Sequence, residues 1–352
     1  MNLIENSGAK IIILSSNFVQ RASPAFINKF SRAEMAVNSG AHVVIELPFI
    51  FSCSAATDFA NYSVDILAKS HLADSISFGM ENPEFNFKNI AQILNEESEF
   101  FKNILNFNLD SGMSFPKAVA ETLEILQPGA KNFISKPNNL LATLYTKRIL
   151  QMNYKLNIKP FLRTGNFSSK IIREDLKNNL NLLPDFSQNI INREILNGRL
   201  CENYKNKLWL LLHGLLLRSS PEDLKLIHGF NEGIENLFFK NIYKAKNYDE
   251  FINLSTSSRY TNSHIRRRII YALIGLKKFE NVSPNYARIL AFTQEGRKLL
   301  HNAKPEIKFI TRFSELKNNF IAETELKASK LYELLLDNQN FKSEFESVMK
   351  FF

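Results

Sequence analysis

The first half of the chain sets short, uniformly apolar runs between longer segments of helical periodicity, and few folds accept that pattern. "KIIILS" (Lys10 to Ser15) and "HVVIEL" (His42 to Leu47) are rich in β-branched residues and lack polar alternation, and "DSISFG" (Asp74 to Gly79) follows. A strand without alternation is covered on both faces, as in a parallel sheet flanked by helices. Between the runs, residues 28–38 read as a helix with Phe30, Ala33 and Val37 on one face and Gly40 as its stop. Pro48 ends the second strand. Residues 54–70 read as a helix capped by Ser54. Further helices are expected at 86–107, 116–126, 138–152 and 168–178, and a further strand in "IKPFLR" (Ile158 to Arg163). Strand–helix alternation of this kind predicts an α/β fold with a doubly wound parallel sheet, whose ligands collect at the carboxyl ends of the strands.

After "LLPDF" (Leu182 to Phe186) the texture changes, and helical patterns dominate from Ser187 to about Lys278. The expected division is an α/β domain over 1–184 and a mostly helical domain over 185–352, a size that suits two domains. "RILAF" (Arg288 to Phe292) and "KFIT" (Lys308 to Thr311) are short strand candidates in the tail. The longest apolar run, "LWLLLHGLLL" (Leu208 to Leu217), is about half the length of a membrane span and reads as a buried helix. The opening "MNLIENSGAK" has neither the basic head nor the apolar core of a signal peptide. A cytoplasmic protein with no membrane partner is expected. Cys53 and Cys201 are far apart and read as buried or idle thiols, so neither a disulfide nor structural zinc is expected.

Four segments could carry chemistry. "SSNFVQRASPAFINKFSRAEMA" (Ser15 to Ala36) leaves a strand end with Arg21, Lys29 and Arg32 and little acid to balance them. Cations near a helix start suit an anion such as a phosphate, although a solvated helix face has the same composition. "RTGNFSSKIIRE" (Arg163 to Glu174) presents Ser168, Ser169, Lys170 and Arg173 at a helix start, either as phosphate donors or as an ordinary serine cap. In "KPNNLLATLY" (Lys136 to Tyr145), Asn138 or Asn139 either caps a helix or reads a ribose or base edge. Finally, residues 240–278 hold nine Lys and Arg, among them Arg259, Arg266, Arg267 and Arg268, against Asp249 and Glu250 alone. That segment carries most of the chain's net charge of +9, with Tyr260 and His264 interleaved, which fits a nucleic-acid backbone footprint. The bland reading is a solvated basic face in a lysine-rich chain. No Walker loop, GxGxxG, HExxH or paired CxxC occurs. His42 lies in an apolar run and reads as a core histidine.

These segments, in this order, resemble the bacterial tRNA(Met) cytidine acetate ligase family. The matching text is "SSNFVQR", "KFSRAEMAVNSGAHVVIELP", "SISFGMEN", "SFPKA", "KPNNLLA", "SSKIIRE", "EGIENLFF", "SSRYTNSHIRRR" and "ARILAFTQEGR", spread over almost the whole chain. The resemblance implies a Rossmann-like nucleotidyltransferase sheet followed by a mostly α-helical tRNA-binding domain. It implies activation of acetate by ATP, with Mg²⁺ arriving on the ATP, to acetyl-adenylate and pyrophosphate. The acetyl group then passes to N4 of the wobble cytidine of elongator tRNA(Met). No resident metal or prosthetic group is implied. Gly79, Asn138, Asn139, Arg163, Ser168 and Arg21 would border the nucleotide, with Lys29, Arg32, Ser169 and Arg173 neutralising the triphosphate. Arg259, Arg266, Arg267 and Arg268 would hold tRNA.

The chain departs from the family pattern in two places. The family's first strand and its HxGH loop have no counterpart here, because "MNLIENSGAK" corresponds to the end of the helix after that loop. A "YHD"-like segment expected between Arg163 and Ser168 is also absent, which shortens the pocket wall. Without the first strand, "KIIIL" is expected to expose an apolar edge. A start codon read too late is the preferred explanation, ahead of a decayed gene and of a protein that kept RNA binding alone. The rival functions are therefore an RNA-binding remnant without adenylation and another adenylyltransferase of the same fold acting on a small phosphorylated metabolite.

Overall fold

Among the described residues seven strands form in chain order: β1 Ile11–Ser15, β2 Val43–Leu47, β3 Ser75–Met80, β4 Asn157–Leu162, β5 Tyr286–Phe292, β6 Lys308–Ile310 and β7 Lys350–Phe351. They are seen in a computed structural model that describes residues 8–163, 179–257, 260–280, 282–346 and 350–351. The expected helix at 168–178 lies outside the described residues.

The strands make two sheets. One has the order β1-β2-β5-β6, with β7 also on β5, and the other is the pair β3-β4. β1 and β2 run parallel from Ile11↔Val43 to Ser15↔Leu47, and β3 and β4 run parallel from Ser75↔Asn157 to Met80↔Leu162. The α/β class with parallel pairing is as expected. What periodicity did not announce is β5, the run containing "RILAF", which lies antiparallel on β2. Among the described residues β1 has a strand neighbour on the β2 side alone. Burial shows the consequence: all five residues of β2 are buried, whereas all five of β1 are only half-buried. A strand that is Ile and Leu up to its closing Ser15, with a neighbour on one side, offers N–H and C=O groups on the other side to a further strand.

Packing groups the chain into two units. One is built on residues 56–163 with the return segment Ala303–Glu306; the other holds 9–55, 179–302 and 307–346. This differs from the expected division at 184, because β5 from the second half completes the sheet begun by β1 and β2. In the first unit, Met80, Phe87, Phe101, Leu123 and Phe133 form the core. Buried Asp65 ties two of its helices, Ala56–Ser70 and Pro137–Met152, by accepting from Arg148 Nε (2.8 Å) and Nη2 (2.7 Å) and from the Tyr154 hydroxyl (3.1 Å). The second unit packs Phe18 and Phe49 with Leu208, Leu212, Phe238, Phe251, Ile269 and Tyr332, drawn from helices after residue 184.

Several element boundaries move for identifiable reasons. Ser54 does not cap the helix at Ala56; its hydroxyl donates back to Phe51 O, at the end of a short helix, Phe49–Ser52. The expected helix at 86–107 is two, Phe87–Glu96 and Glu99–Asp110, parted by Glu97 at φ +42° and restarted by Ser98, which accepts from Phe101 N. The Tyr204–Leu217 helix buries Leu208, Leu212 and Leu216 but exposes Leu210 and Leu217, so it is a one-sided surface helix rather than a buried one. His42 precedes β2 and is half-buried, and its Nδ1 accepts from Lys10 N. Both cysteines are buried and free, and burial pushes the Cys53 thiol up to about 12. No described helix is long and apolar enough to cross a membrane.

Candidate nucleotide cleft

In the first unit the carboxyl ends of β3 and β4 open into a cleft of about 380 Å³, large enough for a nucleoside-sized ligand. Phe78, Leu141, Tyr145 and Phe161 form its apolar walls, and Gly79, Asn138 and Arg163 line the rest. Gly79 stands opposite Phe161 in the ladder. A Cβ on Gly79 would fall 2.8 Å from Arg163 Cγ and 2.9 Å from Phe161 Cε2, so only glycine lets both side chains lie across the strand end. Arg163 extends the ladder by donating its N–H to Met80 O (3.0 Å) and leaves its side chain exposed. Burial pushes the Tyr145 phenol up to about 12, so it stays protonated and can donate.

The two asparagines divide their work. Asn139 is fully buried. Its Oδ1 accepts from Glu81 N (2.9 Å) and Asn82 N (3.2 Å), and its Nδ2 donates to Phe133 O and Asn82 Oδ1 (both 3.2 Å). It fastens the loop after β3 and has no hydrogen-bonding capacity left for a ligand. Asn138 lines the cleft and donates from Nδ2 to Glu81 Oε1 (2.7 Å). The other Glu81 oxygen accepts from Asn139 N (3.0 Å), so the start of the Pro137–Met152 helix faces a carboxylate of this chain.

The remaining candidates belong to the second unit. Arg21 is exposed on the loop closed by the Phe18↔Pro24 bridge. Lys29 opens the Lys29–Asn38 helix, where Asn28 proves to be the cap rather than the first helical residue, but its ammonium is fully buried. It pairs with Glu46 of β2, with Glu325 (2.7 Å) of the Phe320–Leu334 helix, and with Glu344. Arg288 of β5, also buried, pairs with Glu344, approaches Glu46 (3.5 Å) and lies 4.0 Å from the Phe313 ring centroid. Burial would lower the Lys29 ammonium, yet Glu325, Glu344 and Glu46 outweigh it and hold it above the ordinary lysine range. Burial, then Glu325, pushes the Glu46 carboxyl up to about 7 against the pull of Lys29. Glu344 goes the other way: burial is overcome by Lys29 and Arg288, which draw it down to about 2. Lys29 is thus neutralised internally and has no face for a phosphate. Arg32 is spent on backbone carbonyls, Ser16 O (2.7 Å) and Ile27 O (3.1 Å), and fixes the carboxyl end of β1.

Of the basic helical segment, Arg266, Arg267 and Arg268 share the Asn262–Leu273 helix and are half-buried. The Nε atoms of Arg266 and Arg267 are buried without a hydrogen-bond partner, and Arg268 Nε donates to Gly229 O (2.6 Å). Ser168, Ser169, Arg173 and Arg259 lie outside the described residues.

A family model described as HIGH Nucleotidyl Transferase matches residues 2–346. A Clostridium perfringens tRNA(Met) cytidine acetate ligase is 30% identical, covering 97% of this chain and 92% of its own length. The chain belongs to the tRNA(Met) cytidine acetate ligase family. A Caldicellulosiruptor saccharolyticus enzyme of the same name is 32% identical over 94% of this chain and 88% of its own. The crystal structure of Thermotoga maritima TmcAL bound with alpha-thio ATP superposes with a TM-score of 0.88 at 26% identity, covering 97% of this chain and 92% of that one.

Within a tRNA(Met) cytidine acetate ligase fold, then, Gly79, Asn138 and Arg163 gather at one cleft and Asn139 is buried behind it in the same unit, while Arg21, Lys29 and Arg32 belong to the other. The cleft walls Phe78, Tyr145 and Phe161 and the clasp Glu81 escape a motif reading, because nothing in their spacing separates them from core residues. The buried carboxylates do leave a signal. Glu325 sits in helical register with buried Ile321, Ala328 and Tyr332, and Glu46 and Arg288 interrupt otherwise apolar strands.

Proposed function

We propose that the chain activates acetate with ATP and transfers the acetyl group to N4 of the wobble cytidine of elongator tRNA(Met). A carboxylate oxygen of acetate attacks the α-phosphorus as the bond to the β-phosphate breaks, giving acetyl-adenylate and pyrophosphate. The cytidine N4 then attacks the acyl carbon, AMP leaves, and N4 gives up a proton. The observation that carries this reading is the cleft at the carboxyl ends of parallel β3 and β4, with a glycine, an amide and an arginine at its mouth. Its aromatic walls suit the adenosine end, and Arg163 is the one cation among its described lining residues. Gly79 allows close approach, Asn138 offers a polar contact, and Ser168, Ser169 and Arg173 hold phosphates. Asn139 and Arg32 act as positioning residues. Mg²⁺ arrives on the ATP phosphates; among the described residues no group of three or more His, Cys, Asp or Glu could hold a metal. The family's relatives are named for tRNA(Met), and the Thermotoga maritima protein was crystallised with an ATP analogue, which supports the same ligands here. Arg259, Arg266, Arg267 and Arg268 take the tRNA backbone.

The test is acetate-dependent exchange of pyrophosphate into ATP, followed by transfer of labelled acetate to a tRNA(Met) transcript. One observation favours a second reading, RNA binding without adenylation: Lys29, expected at the triphosphate, is consumed by internal ion pairs. Retained tRNA binding with no exchange would select that reading. AMP transfer to a small phosphorylated acceptor without tRNA would replace both.

A further inference from the structure

The second unit carries an aromatic surface feature beside the arginine helix that the proposed function does not use. Backbone bonds from His228 N to Leu276 O (2.7 Å) and from Lys278 N to Leu226 O (3.2 Å) clip two loops together. The clip brings the His228 and Phe279 rings face to face, with centroids 4.1 Å apart and an interplanar angle of 17°. Phe320, the first residue of its helix, continues the strip 5.4 Å from Phe279 and is 38% exposed. Lys277 and Lys278 flank it, both exposed. Arg268 closes the other side, its guanidinium seated over Gly229, where φ is +77° and a Cβ would fall 2.1 Å from Arg268 Cζ. Burial, then Arg268 and Lys278, draws the His228 imidazole down to about 4, so at neutral pH it is an uncharged aromatic face among cations.

We propose that the His228–Phe279–Phe320 strip, flanked by Lys277, Lys278 and Arg268, is a stacking platform for an unpaired nucleobase of a bound RNA. Aromatic faces beside cations are the chemistry that holds single-stranded nucleic acid: the rings take bases and the cations take the intervening phosphates. A protein partner would be served by the rings but not by the three cations beside them, and a duplex by the cations but not by the rings. The inference rests on the tRNA reading of this unit.

The experiment uses the full chain and a short single-stranded RNA carrying 2-aminopurine, with a tRNA(Met) transcript in parallel. Wild type should quench the probe. Phe320→Ala and His228→Ala should each weaken single-strand binding about tenfold and lose quenching, with the salt slope unchanged. Phe279→Leu keeps the bulk of the ring that packs on the core and should lose quenching without unfolding. If these variants, folded by circular dichroism, bind and quench as wild type does, or if a blunt duplex binds as tightly as the single strand, the platform is refuted. Should wild type bind neither RNA at low salt, the tRNA reading fails with it. Transcript binding that is intact but indifferent to all three substitutions would remove the platform alone.

Discussion

Lys29→Met separates two incompatible roles for the same side chain. In the structure the ammonium meets Glu46, Glu325 and Glu344 with no solvent access. At the 2.7 Å separation from Glu325 and an effective dielectric of about 20, the gross attraction is ~6 kcal/mol. Desolvation offsets much of that, and removing one partner of a buried ion pair costs about 3–5 kcal/mol. Glu46 and Glu344 would then keep Arg288 as their ion-pair partner, while Glu325 would lose its pairing with Lys29. Glu46, already pushed up to about 7, can take a proton and relieve one of the charges, which places the loss near the lower end of the range. Trp209 is the chain's one tryptophan and belongs to the same unit, so urea unfolding followed by its fluorescence reports this unit. Lys29→Met should lower the unfolding free energy by about 3 kcal/mol. Adding Glu325→Gln to it should recover part of the loss, because the neutral amide no longer needs a cation. A phosphate-binding lysine predicts the reverse: stability within about 0.5 kcal/mol of wild type and a large fall in ATP affinity. That result would refute the assignment of Lys29 to the interior.

Three further expectations are independent of that one. Because the Glu46 carboxyl is held above its unfolded value of 4.5 at about 7, the folded state binds the extra proton in that window, so its contribution to stability falls as pH rises from about 4.5 to 7. Wild type minus Glu46→Gln, measured by the same unfolding assay, isolates this slope from the opposing one of His228 and His264, whose imidazoles burial draws down to about 4, and a flat difference would show that Glu46 is not the titrating group. Gly79→Val should displace Arg163 and Phe161 and weaken ATP binding at least tenfold with little effect on tRNA affinity, as read by calorimetry and filter binding. Arg267→Ala should weaken tRNA binding and reduce the magnitude of the salt slope by about one contact, and an unchanged slope would take that residue out of the interface.

Much of the architecture is legible in the residues, and the exceptions have physical causes. Phe30, Ala33 and Val37 point inward at helical spacing, and Gly79 and Arg163 meet because parallel strands bring their carboxyl ends side by side, with Asn138 added from the start of the Pro137–Met152 helix. The antiparallel contact of Val43 with Phe292 joins residues far apart in the chain, and periodicity carries no information about which apolar runs pair. Lys29 reads as a phosphate ligand in sequence because spacing does not say whether a cation near a helix start meets an anion from outside or carboxylates of the chain itself. The helix break at Glu97 was concealed by apolar spacing that continues through "ILNEESEFF", although Ser98 marks a new start.

The circuit around Lys29 has an effect on the order in which the protein can mature. Glu46 leaves the ribosome soon after Lys29, but Arg288, Glu325 and Glu344 follow only after the whole of the 56–163 segment has been made. Until then Lys29 and its helix have Glu46 alone of the three carboxylates, so the ion-pair circuit of this unit must wait for residues made much later. The cleft-bearing segment has already left the ribosome by then with its aromatic core complete, and it is free to settle first.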